Sequence, residues 1–431
     1  MSHAQVIASL QSITNGRHVM LFQMEISVDF EFSIGYFRAM KNQIKQEANT
    51  IFRKVVELRR SIHQYPELAF EEHRTAELVA RTLKSLGIEV ESGVAKTGVV
   101  GLLRGKLQGK CVALRADMDA LPIEEQNNVS FKSKIPGKMH ACGHDVHTAT
   151  LLGAAMILSR IRDELNGTVK FIFQPSEEKN PGGAGFMIKE GVLENPKVET
   201  IFGLHVFAQA DVGKVGFCPG PMGASADELY ITIKGKGGHG AYPHLAVDPV
   251  IVAAEVVLAL QKVVSRNIDP LQPCVLTIGK IQGGTTTNVI PDEVKLFGTL
   301  RAMNEEWRRK SWTLIEQTIK GITSAAGAKY ELEIDKGYPV LVNNPDVTAF
   351  AKTASAEFLG KRNVFHAEPA MGAEDFSYYL QKVPGTFFRL GVRNKKKGIV
   401  HNPHTAHFNV DEEAMKVGSG VLAYLAYEYL K

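Results

Sequence analysis

The texture of the chain changes near residue 223 and changes back near residue 336, and this limits the possible folds more than any other feature. From about residue 46 to 222, GVVGLLRG (98–105), CVALRADMD (111–119), TVKFIFQP (168–175) and TIFGLHVF (200–207) are near-continuous apolar runs. Such runs suit strands covered on both faces. Helical spacing of Ile51, Val55, Val56, Leu58 and Ile62 predicts a helix over 47–63, and further helices are expected over 70–86, 145–165 and 182–192. The strands 98–105 and 111–119 read as a pair. From 225 to 239, SADELYITIKGKGGH alternates apolar and polar, as a half-exposed antiparallel strand does. A helix over 247–265, strands CVLTIGKIQGG (274–284) and VKLFGTLRAM (294–303), a helix over 305–325 and a strand KYELEIDKGY (329–338) follow. That order, β-α-β-β-α-β, is the order of a ferredoxin-like unit. The expected fold class is α/β. Residues 46–222 and 336–431 form one domain with a mostly parallel sheet covered by helices, and residues 223–335 form an inserted ferredoxin-like α+β lid. Residues 1–45 show no clear period and are expected to be a leader of uncertain order. Clefts between domains are preferred ligand sites.

Composition removes several classes of partner. With 50 basic and 46 acidic residues, the formal charge of +4 is too small to point to nucleic acid or an anionic membrane. No run of 18 apolar residues exists to span a bilayer, and the first residues lack the features of a secretory signal. The four cysteines form neither a disulfide framework nor a Cys-x-x-Cys pair. The expectation is a reduced, cytoplasmic enzyme in which a special cysteine is a ligand or a nucleophile.

The histidines cluster. MHACGHDVH (139–147) sets Cys142 and His144 two residues apart, where one loop can aim both at one metal. Alternatively, these residues only share a capping loop. QPSEE (174–178) ends a buried strand with adjacent carboxylates, which repel in a partly dry site. One can ligate a metal while the other accepts a proton, or the pair is a solvated turn. His205 lies inside an apolar strand, where a lone histidine is more often a satisfied core residue than a ligand. HNPHTAHF (401–408) holds three more histidines. Cys142, His144, Glu177 or Glu178, His205 and one C-terminal histidine all fall at loops or strand ends, where open α/β sheets collect their sites. Five such donors exceed the three or four that one catalytic zinc uses, which suggests two metals. Cysteine and imidazole favour zinc, nickel or cobalt, and the carboxylate admits manganese.

The chain resembles the M20 metallopeptidases, in the amidohydrolase branch (M20D) of N-acyl-amino-acid, hippurate and auxin-conjugate hydrolases. The resemblance rests on LRADMDALP (114–122), MHACGHDVH, QPSEE, GLHV (203–206), GKGGHGAYPH (235–244), GGTTTNVIPD (283–292), GTLRAM (298–303), MGAEDFSYY (371–379) and the C-terminal histidine segment, in family order over about 50–428. It implies that Cys142, His144, Glu178 and His205 are metal ligands and that Glu177 is the general base. The last ligand is His404, which has Phe408, Asp411 and Glu412 at the family's spacing; His401 is the competing choice. Asp117 stands where the wider group has a ligand histidine, and Cys142 replaces the lost donor. Asp119, in the catalytic set, orients a ligand. In the lid, His239 and Asn288 are implied to stabilise the oxyanion, and Arg301 to hold the substrate carboxylate. Asn288 and Arg301 are expected on neighbouring lid strands. Glu374 either touches the cleft or caps a helix.

The activity implied is metal-dependent hydrolysis of the amide of N-acyl amino acids, with one or two divalent ions per subunit. A dipeptidase or carboxypeptidase with the same chemistry is the alternative, and a non-catalytic binder is a lesser one. A homodimer through the lid is expected, with His239 serving the neighbouring subunit.

Overall fold

The computed structural model describes residues 16–431, with side chains from residue 39. Helix α1 (Gly16–His63) leads into α2 (His73–Ser85). Strands β1 (Glu89–Val94), β2 (Gly98–Arg104) and β3 (Lys110–Asp117) follow, then helix α3 (His144–Arg160) and strand β4 (Gly167–Gln174). Next come α4 (Ala184–Lys189), β5 (Thr200–Asp211), β6 (Val215–Phe217) and β7 (Gly220–Gly223).

The second texture yields β8 (Asp227–Lys234), β9 (Gly238–His239), α5 (Pro249–Lys262), β10 (Cys274–Gly283), β11 (Val289–Ile290), β12 (Glu293–Ala302), α6 (Glu305–Ala325) and β13 (Lys329–Lys336). The chain closes with β14 (Leu341–Asn343), α7 (Pro345–Leu359), β15 (Val364–His366), α8 (Ser377–Leu380), β16 (Gly385–Arg393) and α9 (Glu413–Leu430).

The larger sheet has eight strands in the order β1-β2-β4-β3-β5-β16-β6-β15. Its centre is parallel: β4, β3, β5 and β16 run side by side in one direction. Antiparallel pairs β1–β2 and β2–β4 finish one edge. The expected pairing of 98–105 with 111–119 is therefore corrected, because β4 lies between β2 and β3 and pairs with both. The chain passes from β3 through α3 to β4, and a parallel pair needs such a crossover rather than a hairpin.

One face of the sheet is covered by α1, α3 and α9. Every residue of α3 from His144 to Leu158 is buried. The smaller face cluster unites Ala113, Ile172 and Ile201 with Met187, Phe376, Tyr379 and Phe387. Each fully buried Leu, Ile or Phe side chain is worth roughly 1.5–3 kcal/mol relative to exposure, so these faces dominate the stability of the fold.

The expected boundary at residue 45 does not match the structure. Helix α1 runs through it, and Met40 and Ile44 are buried in the main core. The spacing Met40–Ile44–Ala48–Ile51–Val55 continues one helical face upstream of the period noticed in the sequence. Residues 1–15, the remainder of the expected leader, lie outside the described residues.

The smaller sheet runs β10-β12-β8-β13, antiparallel throughout, which is ferredoxin-like order. Helices α5 and α6 pack on it through Val252, Val256, Leu260, Ile315 and Ile319. The strand expected over 225–239 breaks after Lys234. A Cβ at Gly235 would meet the Val247 carbonyl oxygen at 2.1 Å, and Gly238–His239 leaves the main lid sheet to pair with β11.

Candidate metal centre

Three parallel strands deliver the site. Strand β3 ends in Asp117 and leads to Asp119, β4 leads to Glu177 and Glu178, and β5 carries His205. Cys142 and His144 flank Gly143, whose φ of +88° is a left-handed turn at the start of α3. A Cβ at Gly143 would meet Val206 at 2.7 Å, so this tight turn between the two donor side chains requires glycine. Ser176 (φ +53°) and His404 (φ +63°) hold the same strained conformation beside the site.

The donors converge. The ligand atoms of Cys142, His144 and His205 lie within 4.8 Å of one another, and so do those of Cys142, Glu178 and His404. Cys142 belongs to both groups. His205 directs Nε2 to Cys142 Sγ at 3.4 Å while its Nδ1 bonds the Val206 carbonyl at 2.8 Å. His144 Nδ1 faces Asp119 Oδ1 at 3.2 Å, leaving Nε2 aimed at Glu178 Oε1, 3.8 Å away. His404 Nε2 reaches the same oxygen at 3.3 Å. His144 Nε2 and Glu178 Oε1 are buried without a hydrogen-bond partner among the described residues. Unpaired buried polar atoms are costly, and a cation between them would satisfy both. The residues therefore fit a divalent metal.

His401 is exposed and joins none of these groups; its ring lies 5.4 Å from that of His407, tilted at 40°. His147 is close, but both its nitrogens are engaged. Its Nδ1 faces Asp117 Oδ1 at 2.6 Å, and its Nε2 accepts the Val206 N–H at 2.9 Å. No lone pair remains for a metal, although its ligand atoms lie near Asp117 and His144.

Buried carboxylates hold the Glu177–Glu178 turn from below. Asp119 accepts the backbone N–H of Glu177 through Oδ1 and of Glu178 through Oδ2, each at 2.9 Å. Glu72 accepts the preceding N–H, of Ser176, at 2.8 Å, together with Phe70 N–H and the Thr97 hydroxyl. Tyr338 donates its hydroxyl to the Glu177 carbonyl at 2.5 Å. Burial is the main cause that pushes Glu177 well above the usual carboxylate range, and Glu374, Glu178 and Asp375 add to it. Burial also raises the Cys142 thiol, with Glu178 nearby.

Glu72 was not singled out from the sequence, nor was Arg115. The Arg115 guanidinium is fully buried and binds Asp117 at 2.7 Å, Asp375 at 2.8 Å, Gln174 at 2.9 Å and Glu374 at 3.0 Å. The available signal was a charge inside an apolar strand run. Glu374 accepts the Phe376 N–H at 3.0 Å, just before the short helix Ser377–Leu380, and its carboxylate lies within 4.8 Å of those of Glu177 and Asp375. Helix α1 braces the segments that carry His144 and His404. Arg59 and His63 bind Asp145, next to His144, at 2.7 and 2.8 Å, while Arg60 binds Glu412, beyond His404, at 2.6 and 2.8 Å.

Of the lid residues, Arg301 shares a cavity of about 190 Å³ with Glu177, Glu178, Thr299 and Tyr338. His239 and Asn288 are not in that cavity. His239 is exposed on β9, and its Nδ1 accepts the Ala241 N–H at 3.0 Å. Asn288 is exposed next to it, its carbonyl bonded to Gly240 N–H. The expectation that Asn288 and Arg301 sit on neighbouring strands is corrected. Asn288 precedes β11 in the loop between β10 and β12, while Arg301 is near the opposite end of β12 from Glu293. Glu293 and Arg301 are eight residue steps apart along the strand, about 27 Å.

These features define an α/β hydrolase: a mainly parallel sheet whose strand ends gather metal-ligating side chains and adjacent glutamates, with an arginine of the smaller sheet lining the same cavity. The chain belongs to peptidase family M20/M25/M40, whose model matches residues 113–428. It is 42% identical over 390 residues to thermostable carboxypeptidase 1 of Saccharolobus solfataricus, covering 90% of this chain and 98% of that one. It is 42% identical over 376 residues to the N-acetylcysteine deacetylase of Bacillus subtilis, covering 86% and 96%. The crystal structure of Bacillus subtilis YXEP, described as a dinuclear metal binding peptidase of the M20 family, superposes with a TM-score of 0.78 at 37% identity, covering 89% of this chain and 99% of that one. The protein is thus a metal-dependent hydrolase of linear amides. Among the described residues no helix is long and apolar enough to cross a membrane.

Proposed function

We propose that the protein hydrolyses the amide bond of N-acyl amino acids, using two divalent ions held by Cys142, His144, Glu178, His205 and His404. The observation that carries this reading is the pair of donor triads sharing Cys142, with Glu177 beside them and Arg301 across the cavity. A divalent cation held there supplies Lewis-acid polarisation of the acyl carbonyl and acidifies the attacking water. Zinc, manganese, cobalt and nickel all suit a donor set of thiolate, imidazole and carboxylate. Glu177 takes the proton of the water and returns it to the leaving amine. Asp119 fixes both glutamates through their backbone. Arg301, which has no ion-pair partner among the described residues, receives the substrate carboxylate as a planar fork.

His239 and Asn288 stabilise the oxyanion in the second subunit of a homodimer rather than in their own. Their place at the far end of the lid from Arg301 supports this. So do exposed Val250, Ile251 and Leu258 on α5 and Val275 and Ile281 on the edge strand β10, which offer an apolar face to a second lid. Mixing inactive Glu177→Gln with inactive His239→Ala should restore about a quarter of wild-type activity as mixed dimers form. A dead mixture with mixed dimers demonstrated would place His239 in its own subunit.

Residues 46–222 and 336–431 supply the chemistry in this scheme, and residues 223–335 supply the lid and the dimer contact. A cytoplasmic location is supported by the four unpaired cysteines, one of them a ligand. The similarity to a carboxypeptidase at equal identity favours a second reading, cleavage of peptides by the same site. Turnover of acetyl-, benzoyl- and indoleacetyl-amino acids against dipeptides, on metal-reconstituted protein, separates the two.

A further inference from the structure

One cation on the sheet side of the metal donors has no use in the scheme above. Arg389 of β16 pairs in parallel register with His205 of β5, so the two side chains rise from the same face of the sheet. No ion pair or hydrogen bond holds its guanidinium among the described residues, although the side chain is more than half buried. The group sits 5.6 Å from the centre of the Phe207 ring, on the same face two residues beyond His205. On its other side β16 faces Gly216, where a Cβ would meet the Phe365 ring at 2.4 Å. Phe365 therefore covers that position and stacks on Phe207 at 6.3 Å. The rim is closed by Gln209, which donates to Asn402 in the His404 loop at 2.8 Å.

His205, Phe207 and Arg389 thus share one face of the sheet, with the Phe207 and Phe365 rings beside a guanidinium that has no ion-pair partner among the described residues. Taking a cation partly out of water without an anion is unfavourable, and a carboxylate held by its planar fork offsets that loss. Flat apolar walls suit a short chain or ring between the reacting carbonyl and that carboxylate.

We propose that Arg389 makes the enzyme selective for N-acyl amino acids whose acyl group itself ends in a carboxylate, such as succinyl or glutaryl. This rests on the N-acyl-amino-acid reading, with Arg301 taking the α-carboxylate on the lid side of the metals and Arg389 taking the acyl carboxylate on the sheet side.

The test compares N-succinyl and N-pentanoyl derivatives of one amino acid, which are similar in length and differ in the terminal charge. Wild type should favour the succinyl substrate by about 10–100-fold in kcat/KM, the range of one or two charge-assisted hydrogen bonds in a partly buried site. The difference should lie mainly in KM. In Arg389→Met the preference should collapse toward unity, and Arg389→Lys should restore part of it. Wild-type protein gives an independent arm that needs no variant: glutarate should inhibit more strongly than pentanoate. Equal efficiency on both substrates, equal inhibition by both acids, or an unchanged preference in Arg389→Met overturns the role of Arg389 while leaving amide hydrolysis standing. Failure of wild type to hydrolyse either substrate, or the N-acetyl amino acid, overturns the broader reading and this one with it.

Discussion

Replacing Asp119 by Asn tests how the catalytic turn is held. The two Asp119 oxygens accept three donors: Glu177 N–H at 2.9 Å, Glu178 N–H at 2.9 Å and His144 Nδ1 at 3.2 Å. Asparagine keeps the shape but turns one oxygen into an NH₂ donor. If the amide oxygen stays at Oδ1, the Glu178 N–H meets the NH₂. If it turns, both the Glu177 N–H and the histidine lose their acceptor. In either case at least two buried donors go unsatisfied, at about 1–3 kcal/mol each, or roughly 2–6 kcal/mol in total. Asp119 is only 1% exposed, so water offers little rescue. The turn should relieve this by moving, and Glu178 and His144 should lose their alignment. Metal affinity, read by competition with a chromogenic chelator, should fall about 10–100-fold, the usual loss when a residue that orients a ligand is changed. Activity at saturating metal should also fall, because Glu177 shares the turn. Wild-type affinity and rate in Asp119→Asn would refute the reasoning.

Three further outcomes are expected. Glu178→Gln should lower metal content by elemental analysis, and a fully loaded variant would remove Glu178 from the ligand set. Alkylating reagents should label Cys142 in metal-free protein and be blocked by added metal, since a coordinated thiolate is not free to react; equal labelling would exclude ligation. Burial raises Glu72 from its ordinary 4.5 to about 7, so folding takes up a proton between those values. The contribution of Glu72 to stability is then highest below pH 4.5 and declines as pH rises to about 7, by about 3 kcal/mol. Wild type should lose its stability advantage over Glu72→Gln by about that amount across the window in denaturant unfolding, and a constant difference would contradict it.

The sequence and the structure agree where local pattern decides. The alternation in DELYITIK and the helix over 305–325 appear at the expected residues, and the β-α-β-β-α-β order becomes a four-stranded antiparallel lid. Cys142, His144, Glu178, His205 and His404 meet because loops and strand ends beside glycines and apolar runs are where a sheet can present polar groups. What escaped the sequence was decided by partners distant in the chain. Strand β4 enters between β2 and β3 although 49 residues, 118–166, separate it from β3. Glu72 reads as one more acid in a charged helix start, and only the fold buries it under Ser176, 104 residues away. Arg115 shows how to look: a charge inside VALRAD must find carboxylates, and it finds Asp117, Glu374 and Asp375. Asn288 and Arg301 were placed together by a short sequence separation, but the β10–β12 hairpin carries Asn288 at its tip and Arg301 at its base.

The central claim is that Glu177 is the base of a metal-dependent hydrolysis of N-acyl amino acids. Its most direct test is steady-state turnover of metal-reconstituted wild type and Glu177→Gln on N-acyl amino acids, with metal content measured on the same samples. Wild type should hydrolyse the substrate, and the variant should keep its metal yet lose about 10²–10⁴-fold in rate. A variant that retains both its metal and its rate, or a loaded wild type that leaves every acyl amino acid intact, would contradict the account.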